Sequence, residues 1–210
     1  MEEVCSGRSG KTDSIYIKAA FKSLAKKFPN VVDLGRRDPV LLDFFGFSKR
    51  AERFQDLTGG GDQLNTLVRD YRKRTAKFKT TPQFPVLMVV DNDSGATNLF
   101  AHLSRILNTK IDGSAPFYHV FGNLYVVPIP KSGKATAAIE DLFEVAVLNE
   151  KIDGRSFDRT AKEKDGTKWY GKYELATKVV RPKSGSIKFD DFEPLLNAIV
   201  DASTDYSTRI

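Results

Sequence analysis

The sequence predicts an α/β protein with a parallel central sheet flanked by helices and a small helical extension at its C-terminal end. Short apolar runs alternate with amphipathic segments, as they do in parallel-sheet proteins. The clearest run, from Pro85 to Asp91, has no polar residue until its carboxyl end, which is typical of a strand buried on both faces. A chain of 210 residues is long enough for one such domain.

The first half of the chain contains two predicted helices and two predicted strands before that run. Thr12 or Asp13 caps a helix with apolar residues at helical spacing. Residues 31–34 and the segment PVLLDFFGF are candidate strands. A basic amphipathic helix follows the triplet at residues 59–61.

The second half begins with the 85–91 strand, an acidic turn and a helix over residues 96–107. The segment YHVFGNLYVVPIP predicts two short strands about Gly122, and ATAAIEDLF predicts a helix. From residue 149 the chain becomes polar and turn-rich, and two more helices are predicted after that stretch. We therefore predict an α/β domain over residues 1–148, with a polar insertion and a helical extension over residues 149–210 that pack on it.

Composition favours an anionic partner and a reducing compartment. The formal net charge is +6 and the pI is near 9.3, which favours nucleic acid. A single Cys5 excludes an internal disulfide, and with two histidines the chain lacks a Cys/His zinc cluster. Without a long apolar run, we expect no membrane association and a cytoplasmic location.

Two motifs offer different chemistry. Gly10-Lys11-Thr12 matches the end of a phosphate-binding P-loop, but the position five residues before Gly10 is Cys5 rather than glycine. Asp91 and Asp93 form a D-x-D at a strand end, and two such carboxylates suit Mg²⁺ or Mn²⁺. The same turn is equally consistent with a helix cap. Glu140 adds either a further carboxylate or an ordinary solvated one.

A basic cluster on the helix after residue 61 is a candidate contact for a phosphate backbone, and a solvated helix face is the alternative. Its members are Arg69, Arg72, Lys73 and Arg74.

Several motifs in order resemble the TOPRIM domain, the metal-dependent module of topoisomerases, primases and OLD-type nucleases. They are SGKTDSIYIKAA, LTGGGDQL and PVLMVVDNDSGA. With AAIEDLF and YGKYELATKVV, the order looks more narrowly like the TOPRIM extension of some retron reverse transcriptases. That resemblance covers residues 10–200.

The resemblance implies a Rossmann-like domain and a divalent-metal nuclease, with DNA rather than RNA as substrate. By position, Asp91 and Asp93 match the family's D-x-D, and Asp13 is a supporting carboxylate near the metal. Glu140 resembles a later acidic ligand of OLD-type sites, and Lys178 resembles a lysine near the scissile phosphate. A role in antiphage defence, with a reverse transcriptase and its RNA-linked DNA as partners, is also implied.

The chain departs from the family at the leading glutamate, where it has Ser9. A serine hydroxyl is neither a competent base at neutral pH nor a strong Mg²⁺ ligand. A second departure is the short segment before the motif, which predicts a truncated first strand. The sequence therefore leaves open an active nuclease, a catalytically inactive module that binds nucleic acid or a reverse transcriptase, and an NTPase. It also leaves open a fragment of a larger retron protein and a standalone partner of one.

Overall fold

A computed structural model describes residues 2–6, 10–44, 61–77, 80–161 and 165–210. The chain divides into two compact units. The first, called the sheet unit, comprises Met1–Gly10, Leu41–Ala138 and Pro194–Ile210. The second, called the aromatic unit, comprises Lys11–Val40 and Ile139–Glu193. These units are interleaved along the chain, whereas the division predicted at residue 148 is consecutive.

The described residues of the sheet unit form a mixed, mostly parallel sheet of five strands. They are β1 Glu2–Ser6, β2 Leu42–Phe44, β3 Val86–Val90, β4 Tyr118–Phe121 and β5 Leu124–Pro128. The spatial order is β2-β1-β3-β5-β4, and only the β4–β5 pair is antiparallel. The predicted α/β class is confirmed. The sheet is not wholly parallel because β4 and β5 form a hairpin at Gly122, where φ is 54°.

Helices occupy much of the remaining described chain. They are α1 Gly10–Ser23, α2 Gly61–Thr75, α3 Thr97–Leu107, α4 Val145–Leu148, α5 Lys172–Glu174, α6 Arg181–Lys183 and α7 Glu193–Arg209. A π-helix, Leu175–Val180, joins α5 to α6. Short 3₁₀ helices are Ala25–Lys27, Ser94–Ala96, Ile139–Leu142 and Asp190–Phe192. None of the helices in the described ranges is long and apolar enough to cross a lipid bilayer.

The sheet is covered on both faces within its own unit. On one face Met88 and Leu124 belong to an apolar cluster with Val68 of α2 and Leu103 of α3. Tyr125 alternates with Leu124 along β5 and therefore points to the opposite face. There its ring lies 6.3 Å from that of Tyr206 on α7. Burial on both faces explains why β3 is a continuous apolar run.

The aromatic unit is held together by edge-to-face ring contacts. Phe143 lies 4.9 Å from Tyr16, 5.9 Å from Phe189 and 4.9 Å from Phe192, measured between ring centroids. Such pairs contribute about 0.5–1.5 kcal/mol each beyond the burial of their area. A second, two-stranded sheet, β6 Ser156–Phe157 with β7 Trp169–Tyr170, lies in the same unit.

Two local predictions in the middle of the chain differ from the structure. Val32 forms only an isolated bridge to Val40, because the chain turns between them and Asp33 accepts a hydrogen bond from the Gly35 amide. The ATAAIEDLF segment is a 3₁₀ helix only at Ile139–Leu142, because both backbone groups of Ala137 bond to Asn92 instead.

Two predictions concern the start of the chain. The sequence predicts a truncated first strand, whereas β1 has five residues, as many as β3. Thr12 and Asp13 lie inside the first turn of α1 rather than at its cap, because the helix begins at Gly10. The predicted helix itself is confirmed.

Candidate active site

The acidic turn, residues 91–93, leaves the carboxyl end of β3 near the middle of the sheet. In the register of the sheet, Val89 pairs with Ser6 of β1 and Val90 with Pro128 of β5. All three strands run in the same direction, so their carboxyl ends lie at one edge. In open α/β sheets that edge is where ligands bind, outside the ends of the strands.

Asn92 fixes the shape of the acidic turn. Its side chain is buried, and Nδ2 donates to the carbonyl oxygens of Gly113 at 2.7 Å and Ile129 at 3.1 Å. Its backbone amide donates to Ala137 at 2.7 Å, and its carbonyl accepts from the Ala137 amide at 3.0 Å. The turn after β3 is therefore tied to the loop before β4 and to the segment after β5.

Gly113 permits the close approach of that loop. Its φ is 74°, and a Cβ built on it would lie 2.3 Å from Oδ1 of Asn92. A side chain at this position would therefore both strain the backbone and push Asn92 out of its place.

The two carboxylates lie on either side of Asn92 and are both half-buried. Oδ1 of Asp93 accepts a hydrogen bond from the Gly95 amide at 2.8 Å and so caps the 3₁₀ helix Ser94–Ala96. The capping interpretation of this motif is therefore confirmed for Asp93. A cap occupies only one of the two carboxylate oxygens, and the metal interpretation stays a prediction.

Asp13 and Glu140, the other two predicted ligands, both lie in the aromatic unit. They are buried, with 7% and 0% of their surface exposed. Both carboxylates act on Tyr16: burial raises the pKa of its phenol far above the usual value, and the charges of Glu140 and Asp13 raise it further. The structure thus groups the four predicted ligands as two pairs, each within one unit.

Glu140 has cationic neighbours. Its Oε2 lies 2.9 Å from Nζ of Lys172 and 4.0 Å from Nε of Arg159. Among the described residues, neither of its oxygens has a donor in hydrogen-bond geometry. Arg159 also forms a bidentate pair with Asp141, at 2.6 and 3.3 Å. We call Glu140, Lys172 and Arg159 the Glu140 cluster.

Lys178 has a different partner from the one expected of a catalytic lysine. Its Nζ donates to Glu174 at 3.0 Å, and its side chain is half exposed. Arg155 binds the same carboxylate with both terminal nitrogens, at 2.6 and 3.1 Å. The hydrogen bond from Arg155 lowers the pKa of Glu174 below its ordinary value.

The basic cluster lies on α2, as predicted. Arg69, Arg72 and Lys73 are exposed or half-exposed there, and Nε of Arg69 lies 3.4 Å from Asp70. Arg74 belongs to α2, but its side chain lies outside the described part of the structure. Ser9 also lies outside the described residues, in the segment between β1 and α1.

Sequence reasoning missed Asn92 and Lys172. Asn92 is the middle residue of D-x-D, and its place directly after a buried strand is the signal that could have found it. Lys172 carries no such local signal, because Glu140 is distant from it in sequence and only folding brings the two together. Within the described ranges, no group of three or more His, Cys, Asp or Glu side chains is arranged to hold a metal ion.

No family model matches the sequence, and no solved structure matches the chain significantly.

Proposed function

We propose that the chain is a TOPRIM-like, divalent-metal-dependent phosphodiesterase that cleaves nucleic acid at the acidic turn. The observation that carries the proposal is the position of Asp91 and Asp93 at the carboxyl end of β3, braced by the buried side chain of Asn92. A rigid pair of hard oxygen ligands at this edge is what a Mg²⁺ or Mn²⁺ site requires.

The residues of the acidic turn fit such an ion. The Gly95 hydrogen bond engages Oδ1 of Asp93 and leaves Oδ2 for another contact, and Asp91 supplies a second half-buried carboxylate. A Mg²⁺ or Mn²⁺ ion bound there would supply Lewis-acid chemistry at a phosphodiester. Asn92 would keep both carboxylates oriented while substrate binds, because its four hydrogen bonds link the turn to neighbouring segments.

The predicted residues outside the acidic turn differ in the supporting roles that we propose for them in catalysis. Position 9, with Ser9 in place of the family glutamate, follows β1, and β1 is the neighbour of β3 in the sheet. Asp13 is proposed as a supporting carboxylate and Lys178 as a phosphate contact, whereas Glu140, whose carboxylate already pairs with Lys172 at 2.9 Å, is not proposed as a metal ligand. The net charge of +6 suits nucleic acid as the substrate, with DNA proposed rather than RNA.

The resemblance to retron reverse transcriptases extends the proposal to a biological setting. We propose an antiphage effector in the cytoplasm, controlled by a reverse transcriptase and its RNA-linked DNA.

A catalytically inactive module that binds nucleic acid or a reverse transcriptase is the second candidate. Two observations favour it. The position of the family glutamate is Ser9, and the carboxylate of Glu140 is already paired with Lys172 at 2.9 Å. An NTPase is less well supported, since Gly7 and Gly10 are three residues apart, whereas a P-loop separates its glycines by five.

Nicking of supercoiled plasmid tests the proposal. We expect the protein to nick in Mg²⁺ or Mn²⁺ and to lose this activity in Asp91→Ala. Asp201→Ala is the matched control, because Asp201 is exposed on α7 and should leave nicking unchanged. Nicking that persists in Asp91→Ala would refute the proposed site. Nicking seen only after Ser9→Glu would favour the inactive module.

A further inference from the structure

An open cleft of about 410 Å³ lies between α2 and α3 in the sheet unit. Most of its lining residues are polar, and it is distinct from the acidic turn. They include Asn65 and Arg69 of α2 and Asn98, Ala101, His102 and Arg105 of α3. The α3 positions recur at spacings of three and four, so they share one face of that helix.

The cleft is electropositive. Arg69 and Arg105 both line it, and no Asp or Glu is among its described lining residues. In the described part of the chain, Nε of Arg69 pairs with Asp70 at 3.4 Å. Within the described ranges, Arg105 and His102 have no hydrogen-bond or salt-bridge partner in the protein. An exposed arginine without such a counterion is available to bind an anion, and a planar guanidinium matches the geometry of phosphate.

The cleft runs along the helix that follows the acidic turn. Asp93 is followed by the 3₁₀ helix Ser94–Ala96 and then by α3, so Asn98 is the lining residue of α3 nearest to Asp93 in sequence. From Asn98 to Arg105 the helix rises about 10 Å, at roughly 1.5 Å per residue. That length equals the axial rise of about three phosphates in one strand of duplex DNA, at roughly 3.4 Å each.

We propose that this cleft binds the phosphate backbone of a nucleic acid strand, with Arg69 and Arg105 as its main contacts and the strand leading towards the acidic turn. The inference rests on the proposed function, because it supplies the substrate path for that site. It adds Arg105, His102, Asn98 and Asn65, which the sequence alone did not indicate.

Binding measured without metal separates this inference from catalysis. Fluorescence anisotropy of a labelled single-stranded DNA oligonucleotide in EDTA would compare the full chain with the double variant Arg69→Gln/Arg105→Gln. The matched control is Arg36→Gln/Arg37→Gln, because those arginines are exposed and the charge change is the same. A second variant, Ala101→Glu, places a carboxylate in the cleft, and Asp91→Ala tests whether binding depends on the acidic turn.

The cleft double variant should bind at least about tenfold more weakly, since a hydrogen bond to a charged group contributes enough for that change. The slope of log affinity against log salt should fall by about 0.7 for each phosphate that the variant no longer binds. Ala101→Glu should also weaken binding, and the control should not. The melting temperatures of all variants should match that of the starting protein.

Equal losses of affinity in the cleft and control variants, or no loss in either, would overturn the inference. So would absence of DNA binding by the starting protein. If a nucleoside monophosphate competes as strongly as the unlabelled oligonucleotide at the same concentration of phosphate groups, that result would assign the cleft to a free nucleotide and would also overturn the inference. If the proposed function alone is wrong, the starting protein will not nick plasmid, but its binding of DNA in EDTA will still be weakened by the cleft variants.

Discussion

The two carboxylate groups of this chain differ in what surrounds them. At the acidic turn, Asp91 and Asp93 are half-buried, and the one side chain locked between them is the neutral amide of Asn92. In the Glu140 cluster the carboxylate is fully buried and lies 2.9 Å from the ammonium of Lys172. The first group has access to solvent, whereas the charge of the second is already balanced by the protein.

This difference separates a site that can exchange partners from one that stabilises the fold. A half-buried carboxylate is open to solvent on one side, so a metal ion can reach it from outside the protein. A fully buried ion pair costs several kcal/mol of desolvation per ion, and removing one partner leaves the other charge uncompensated. We therefore expect substitutions at the turn to alter activity and substitutions in the cluster to alter stability.

The largest effect on stability is expected for Lys172→Met. Among the described residues, this change leaves the buried Glu140 carboxylate with Arg159 as its cationic neighbour, at the longer distance of 4.0 Å. The free energy of unfolding should fall by about 3–5 kcal/mol, measured by urea denaturation. Lys178→Met is the matched control, because Lys178 pairs with Glu174 at an exposed position, and such pairs contribute about 0–1 kcal/mol. Equal decreases in the two variants would show that the buried ion pair stabilises the fold no more than the exposed one does.

A smaller but local effect is expected for Gly113→Ala. The added Cβ would lie 2.3 Å from Asn92 at a φ of 74°, and we expect a decrease of about 2–4 kcal/mol in the free energy of unfolding. Gly122→Ala is the control, since its φ is 54° but nothing lies within 4 Å of the added Cβ, so only about 1–2 kcal/mol of backbone strain remains. If both variants are destabilised by the same amount, the contact with Asn92 does not brace the turn.

The smallest effect is a pH dependence in the aromatic unit. Because the hydrogen bond from Arg155 lowers the pKa of Glu174, the unfolded chain binds the proton more readily than the folded one. The stability that this carboxylate contributes is present above its unfolded pKa and is lost as the pH falls through the lower folded pKa. Glu174→Gln should therefore be less stable than the starting protein at neutral pH. In urea denaturation that difference should shrink as the pH falls below about 4.3, the ordinary pKa of a glutamate; a constant difference would exclude this linkage.

Much of the sheet unit could be predicted because its signals are local. The apolar run 85–91, the turn residues after it and the 96–107 helix correspond to β3, the acidic turn and α3. The helix predicted for ATAAIEDLF is wrong over most of its length, since the bridge between Ala137 and Asn92 joins positions 45 residues apart. Lys172 and Glu140 meet in the same non-local way, and no spacing rule could have paired them.

Mn²⁺ binding, followed by electron paramagnetic resonance, distinguishes the two carboxylate groups when the starting protein is compared with Asp91→Ala and with Glu140→Gln. We expect Asp91→Ala to weaken Mn²⁺ binding at least about tenfold, or about 1.4 kcal/mol, and Glu140→Gln to lower the melting temperature but leave binding unchanged. The reverse pattern, with binding retained in Asp91→Ala and lost in Glu140→Gln, would place the metal in the aromatic unit and exclude the acidic turn as its site.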